Sequence, residues 1–209
     1  MYHYADAIEA LADRLGDDIV LTHAGVNRSW REFDDRAARL GQAFAAAGLQ
    51  PGSKVGLLLY NCSEYYEAFL AALKMRMVPF NVNYRYVGSE LAYLLDNADC
   101  EALVYHRSLA GVVREVLPGL PVVKLAIEVD DGGTGWERAS SYEPLLASTA
   151  PAPRIARSPD DYHLMYTGGT TGVSKGAVLL HRNLVANTLQ AEAWYQPALK
   201  KVPQGEQLM

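Results

Sequence analysis

Apolar residues along this chain change their period repeatedly, and each change marks an element. Over residues 4–15, Ala7, Ile8, Leu11 and Leu15 fall on one helical face. Asp18 to His23 then reads as a strand, turned at Ala24-Gly25-Val26-Asn27. Ser29 and Glu32 have the spacing of a capping box, which opens a helix with Trp30, Phe33, Ala37, Leu40 and Phe44 on its apolar face. Gly48 and Pro51 end it. From there the chain alternates. Near-continuous apolar runs at Val55–Tyr60, Met77–Val82, Glu101–Tyr105 and Val122–Val129 predict strands. Helices are expected between them at 64–76, 89–97 (burying Leu91, Leu94 and Leu95) and about 108–117. Such strands separated by helices predict an α/β fold, a mostly parallel sheet with helices on both faces. Sheets of this kind take ligands at the carboxyl ends of their strands.

A different texture begins at Ser148. Pro151, Pro153 and Pro159 mark a linker up to residue 159. Asp161 to Tyr166 then reads as a strand, Ala177 to Leu180 as another, and His181 to Asn187 as the opening of a helix. The expected organisation is therefore an α/β portion at 1–150 and a strand–loop–strand–helix segment at 151–209. Between the two late strands lies Tyr166-Thr167-Gly168-Gly169-Thr170-Thr171-Gly172-Val173-Ser174-Lys175-Gly176. Glycines let a backbone turn its N–H groups inward, threonines add hydroxyl donors, and Lys175 adds a flexible point charge. That composition suits a loop wrapped on phosphate oxygens. It is neither a Walker A loop nor the dinucleotide fingerprint, because the required spacings are absent. A glycine-rich surface turn with a solvated lysine is the plainer reading of any short piece of it. Eleven residues between two strands argue for the phosphate loop.

Charge and composition narrow the classes. A net charge of −5 gives no electrostatic reason to expect nucleic acid. The chain is 50% hydrophobic, yet its longest apolar run, Ala68 to Leu73, stops at Lys74, far short of a membrane span. Asp6, Glu9 and Asp13 stand where a signal peptide would carry basic and then apolar residues. Cys62 and Cys100 have no zinc spacing and make no disulfide scaffold, which fits a reducing, cytoplasmic setting. Peripheral contact with a membrane is left open. Asp130-Asp131 beside glycines lacks the alternating carboxylates of a calcium loop, and no metal ligand is expected in this chain.

The eleven-residue stretch resembles the signature loop of the adenylate-forming (AMP-binding) superfamily, Tyr/Phe-Thr-Ser-Gly-Thr-Thr-Gly-x-Pro-Lys-Gly. Gly168 replaces the family Ser, a form frequent among fatty-acyl-CoA synthetases, and Ser174 replaces the family Pro. Losing that Pro frees the backbone before Lys175. Similarity extends to Ser29–Phe33, Leu57–Asn61, and Leu73-Lys74 through Pro79, Asn81 and Tyr84-Arg85. At Arg76 the family often has Gly, so an altered helix exit is expected. His181 is read as a capping or packing residue, and Tyr84-Arg85-Tyr86 as an exposed loop.

The resemblance implies the N-terminal portion of a bacterial fatty-acid–CoA ligase. Such enzymes activate a carboxylic acid with Mg-ATP, release pyrophosphate, and pass the acyl group to coenzyme A. It implies that Tyr166, Thr167, Gly168, Gly169, Thr170, Thr171, Gly172, Lys175 and Gly176 bind the nucleotide, Lys175 being either structural or charge-neutralising. Family members are more than twice this length. The family's Tyr-Gly-x-Thr-Glu and Thr-Gly-Asp motifs, for adenine, Mg²⁺ and ribose, do not occur here. Mg²⁺ ligands are thus expected outside this chain, a missing downstream half is an expected partner, and little ligation is expected of the chain alone. The other reading the sequence allows is a non-catalytic remnant that binds nucleotide or a partner.

Overall fold

The computed structural model describes residues 3–167 and 174–199. Its elements in order are α1 (Tyr4–Leu15), β1 (Ile19–His23), β2 (Val26–Ser29), α2 (Trp30–Ala46), β3 (Lys54–Leu58), α3 (Ser63–Lys74), β4 (Val78–Asn81), α4 (Gly88–Asn97), β5 (Cys100–His106), α5 (Ala110–Val116), β6 (Leu125–Val129), β7 (Ser140–Ser141), α6 (Tyr142–Ser148), β8 (Tyr162–Thr167), β9 (Lys175–Leu180) and α7 (His181–Leu199). One sheet runs β7-β6-β5-β3-β4-β8-β9, parallel except for the antiparallel β8–β9 hairpin. This is the α/β architecture that the apolar strand runs predict.

The pleat divides the core. Successive side chains of a strand point to opposite faces, so Leu57 packs with Leu40, Phe44, Ala71 and Leu73 of α2 and α3. Leu58 packs on the other side with Leu91, Leu94 and Val113 of α4 and α5. The capping box forms as spaced: Ser29 Oγ accepts the Glu32 N–H, and Glu32 Oε2 accepts the Ser29 N–H. Cys62 and Cys100 are free and buried, and burial pushes both thiols up to about 12.

Several elements depart from the sequence expectation, each for a local reason. Ala24 and Gly25 both take positive φ, the geometry of a two-residue hairpin turn, so a second strand follows directly at Val26. The strand expected from Val122 begins only at Leu125, after the turn at Pro121. Helix α6 was not expected. It docks through Tyr142, whose hydroxyl donates to buried Glu67, and through Glu143, which takes two hydrogen bonds from Arg36. The 130–135 loop is tied down. Asp131 accepts from the Ser108 N–H and hydroxyl, and a Cβ on Gly133 would lie 2.5 Å from Ser108 N.

The linker is anchored as well. The Arg157 side chain is buried, and its guanidinium donates to Asp6, to Glu9 and to the Lys74 carbonyl. Lys74, also buried, bridges Glu9 and Asp34. Burial opposes ionisation of Glu9, but the bonds from Arg157 and Lys74 outweigh it and hold that carboxyl below its usual range.

Candidate functional site

The candidate loop springs from the β8–β9 hairpin. Register pairs Tyr166 with Gly176 and Thr167 with Lys175. Lys175 therefore sits on β9, two residues before the expected start of that strand, and faces Thr167 across the mouth of the loop. Both residues are exposed. Gly168, Gly169, Thr170, Thr171, Gly172 and Val173 lie outside the described residues.

Tyr166 is half-buried, with its hydroxyl donating to Asn97 Oδ1 at 2.9 Å and its ring 5.8 Å from Phe80. Burial pushes its phenol up. Gly176 has a steric reason, because a Cβ there would lie 3.1 Å from the Tyr166 ring. Ser174, at the position of the family proline, is held by another device. Its Oγ lies 2.9 Å from the Tyr86 hydroxyl, and its carbonyl accepts from the Tyr93 hydroxyl. Tyr86, Tyr93 and Asn97 thus grip both limbs of the hairpin, and the sequence reading did not single them out for it. A signal existed: Tyr93 and Asn97 are four residues apart on α4 and so share a face.

Arg76 occupies the tight exit from α3, with φ of 58°. Left-handed backbone is costly for a residue with a Cβ, by about 1–2 kcal/mol. A forked pair of hydrogen bonds to Asp161, both 2.9 Å, compensates by clamping the residue that precedes β8. Burial disfavours the Asp161 carboxylate, but Arg76 and the Ser158 N–H outweigh it and keep its pKa below normal.

Beside the hairpin, at the carboxyl ends of β3 and β4, lies a cleft of about 630 Å³. Tyr65, Tyr66, Tyr84, Tyr86 and Tyr166 line it, and no described lining residue is charged. Such walls accept uncharged, partly apolar groups and leave charge to the mouth of the loop. Tyr84 is exposed, and the Arg85 guanidinium lies over its ring. Tyr86 turns inward to Ser174, so the Tyr84–Tyr86 loop is only partly the exposed segment expected.

This geometry, a nearly all-parallel sheet with a glycine- and threonine-rich loop between its last two strands, belongs to a known class. Residues 8–207 match the AMP-binding enzyme family, and the chain belongs to that family. Within it, the chain is similar to several acyl-CoA ligases. The chain is 37% identical over 185 residues to the 3-oxocholest-4-en-26-oate–CoA ligase of Rhodococcus rhodochrous, covering 86% of this chain and 33% of that protein. It is 45% identical over 138 residues to the medium-chain acyl-CoA ligase Mig of Mycobacterium avium, covering 64% of this chain and 25% of that one. Among solved structures, ATP-bound MatB from Rhodopseudomonas palustris superposes with a TM-score of 0.77 at 28% identity, over 92% of this chain and 38% of that one. The anthranilate CoA ligase AuaEII shares the fold, with a TM-score of 0.83 at 22% identity over 92% of this chain and 37% of its own. The chain spans about a third of the length of the curated relatives it matches. Among the described residues, no helix is long and apolar enough to cross a membrane.

Proposed function

We propose that this chain is the N-terminal portion of an ATP-dependent fatty-acid–CoA ligase, in which a carboxylic acid is activated by adenylation and then joined to the thiol of coenzyme A. The observation that carries this reading is the family match over residues 8–207, combined with a hairpin that sets Lys175 opposite Thr167 where the signature loop begins and ends. A carboxylate is a poor acyl donor until a good leaving group is attached, and transfer at phosphorus requires the charge on the phosphate oxygens to be neutralised. In this reading the loop residues Gly168, Gly169, Thr170, Thr171 and Gly172 offer backbone and hydroxyl donors to the phosphates of ATP. Thr167 adds a hydroxyl, and Lys175 adds positive charge from the β9 side. Tyr166 and Gly176 fix the hairpin, and Tyr86 and Tyr93 hold Ser174, so the loop leaves from a set position. The uncharged cleft takes a neutral part of a substrate, with coenzyme A and the acid completed by residues of a downstream portion. Mg²⁺ is assigned to ligands in that same portion, and residues 151–209 act as the nucleotide-holding segment on the 1–150 platform.

Calorimetric titration with Mg-ATP tests the loop. The chain should bind, and the Gly169→Ala/Gly172→Ala double variant should lose at least tenfold in affinity, because inward-facing N–H groups need backbone angles that a Cβ disfavours. Equal binding by both proteins overturns the assignment. Ligation is tested by reading the coding DNA past Met209 for Tyr-Gly-x-Thr-Glu and Thr-Gly-Asp, then assaying thioester formation with that portion supplied. Failure of the completed protein to form any acyl-CoA overturns the ligase reading.

A further inference from the structure

Outside the candidate site, the chain buries a pair of histidines whose proton inventory is unusual. His3 is 2% exposed and His181 is 0% exposed. Their rings stack at a centroid distance of 3.8 Å and an angle of 13°. His3 is the N-cap of α1, where its Nδ1 accepts the Ala5 N–H at 3.1 Å. His181 is the first residue of α7, and its Nδ1 accepts the Tyr4 N–H at 3.3 Å. Its backbone N–H donates to the Asp161 carbonyl just before β8. The Tyr4 hydroxyl reaches Thr188 on the next turn but one of α7. The two rings therefore join the start of α1 to the point where the β8–β9 hairpin passes into α7.

A nitrogen that accepts an N–H carries no proton, so both rings are the neutral tautomer with hydrogen on Nε2. Adding a proton to either ring puts it on Nδ1, where it would point at a backbone N–H, donor against donor. Protonating both sets two cations face to face at stacking distance. We propose that the His3–His181 pair is a proton-operated latch: neutral, it fastens α1 to the root of α7, and protonated, it releases both.

The surroundings weigh on the neutral side. Asp161 faces His3, with its Oδ2 3.7 Å from Nε2, and Asp6 on α1 adds a second negative charge, both favouring protonation. Against them stand Arg157 from the linker, Arg76 from the exit of α3, and His163 of β8, whose ring meets that of His181 edge-on at 6.5 Å. The Nε2 atoms of His3 and His181 and Nδ1 of His163 are buried without a hydrogen-bond partner, so the Nε2–H groups have no acceptor that would stabilise a cationic ring. Burial above all lowers both pKa values from 6.5 to about 4. The sign follows. An unfolded or locally opened chain binds these protons near pH 6.5 and the closed latch only near pH 4, so the latch is intact above 6.5 and weakens as pH falls between those values.

The test is amide hydrogen exchange of the full chain at Tyr4 and Ala5, corrected for intrinsic rates, from neutral pH down to about 4.5. Protection should fall by roughly tenfold or more over that range, given tenfold per unit of pKa difference for each ring. In the His3→Asn/His181→Asn variant, carbonyl oxygens take over the same two N–H groups without titrating, and the fall should be absent. An equal fall in both proteins overturns the latch. A second readout needs no variant: ¹⁵N spectra of the wild-type imidazoles. Unprotonated Nδ1 on both rings at neutral pH, with titration well below 6.5, supports the proposal. A protonated Nδ1, or titration at the ordinary value, overturns it.

Discussion

Strands β3 and β9 have nearly the same composition, KVGLL against KGAVLL, yet they live in different environments. Leu57 of β3 is 0% exposed and Val178 of β9 is 57% exposed. β3 lies in the middle of the sheet with helices on both faces, while β9 is an edge strand whose first four residues are all exposed. Helix α7 continues the contrast, with Leu189 at 57% and Trp194 at 84% exposed. An apolar run states that a segment will be buried if something is there to cover it. In the 1–150 portion the cover comes from α2 to α5, and at β9 and α7 the described residues supply little. The chain spans about a third of the length of the curated relatives it matches, and an apolar face of this size without cover is uncommon on a monomer.

The comparison can be attacked from its strongest joint downward. Arg157 fastens the linker between the two regions onto α1, and Arg157→Met strips the buried Glu9 of one of its partners. Urea denaturation should show a loss of about 3 kcal/mol, the scale for breaking a buried pair. A neutral result would mean the linker is not part of the folded platform. Next, Leu57→Ala should cost about 2–5 kcal/mol, whereas Val178→Ala should stay within about 0.5 kcal/mol in the same chain. Equal costs would erase the distinction between the two strands. Ser29→Ala, which removes one half of the α2 capping box, should cost about 1 kcal/mol by thermal unfolding. No change in the melting point would show that packing of Phe33 and Phe44, rather than the cap, sets that helix.

Much of the platform was legible because its signals are local. The Ser29–Glu32 spacing, the face of Phe33, Leu40 and Phe44, and the alternation of apolar strands with helices each need only a window of residues. β2 and α6 escaped for the opposite reason: they are too short to show a period, and register with β1 or docking on Arg36 and Glu67 sustains them. The candidate loop was legible as composition, and its two flanking strands were found. The grip of Tyr86, Tyr93 and Asn97 on the hairpin was not, since those residues lie some 70 to 90 positions away from their partners. In the sequence Arg76 is only a departure from a glycine; the fold gives it a role by bringing Asp161 within reach of its guanidinium.

By itself, then, the sequence determined the order of the longer strands and helices, the capped helix α2, the α/β class and the eleven-residue loop that points to the AMP-binding enzymes. These rest on periodicity, capping and turn chemistry, which act between neighbours in the chain. Tertiary structure alone decided that β8 joins β4, that Ser174 is held by tyrosines in place of a proline, and that His3 stacks on His181. Those contacts depend on which surfaces the packed sheet brings together across some 80 to 180 residues, and no local pattern encodes that distance.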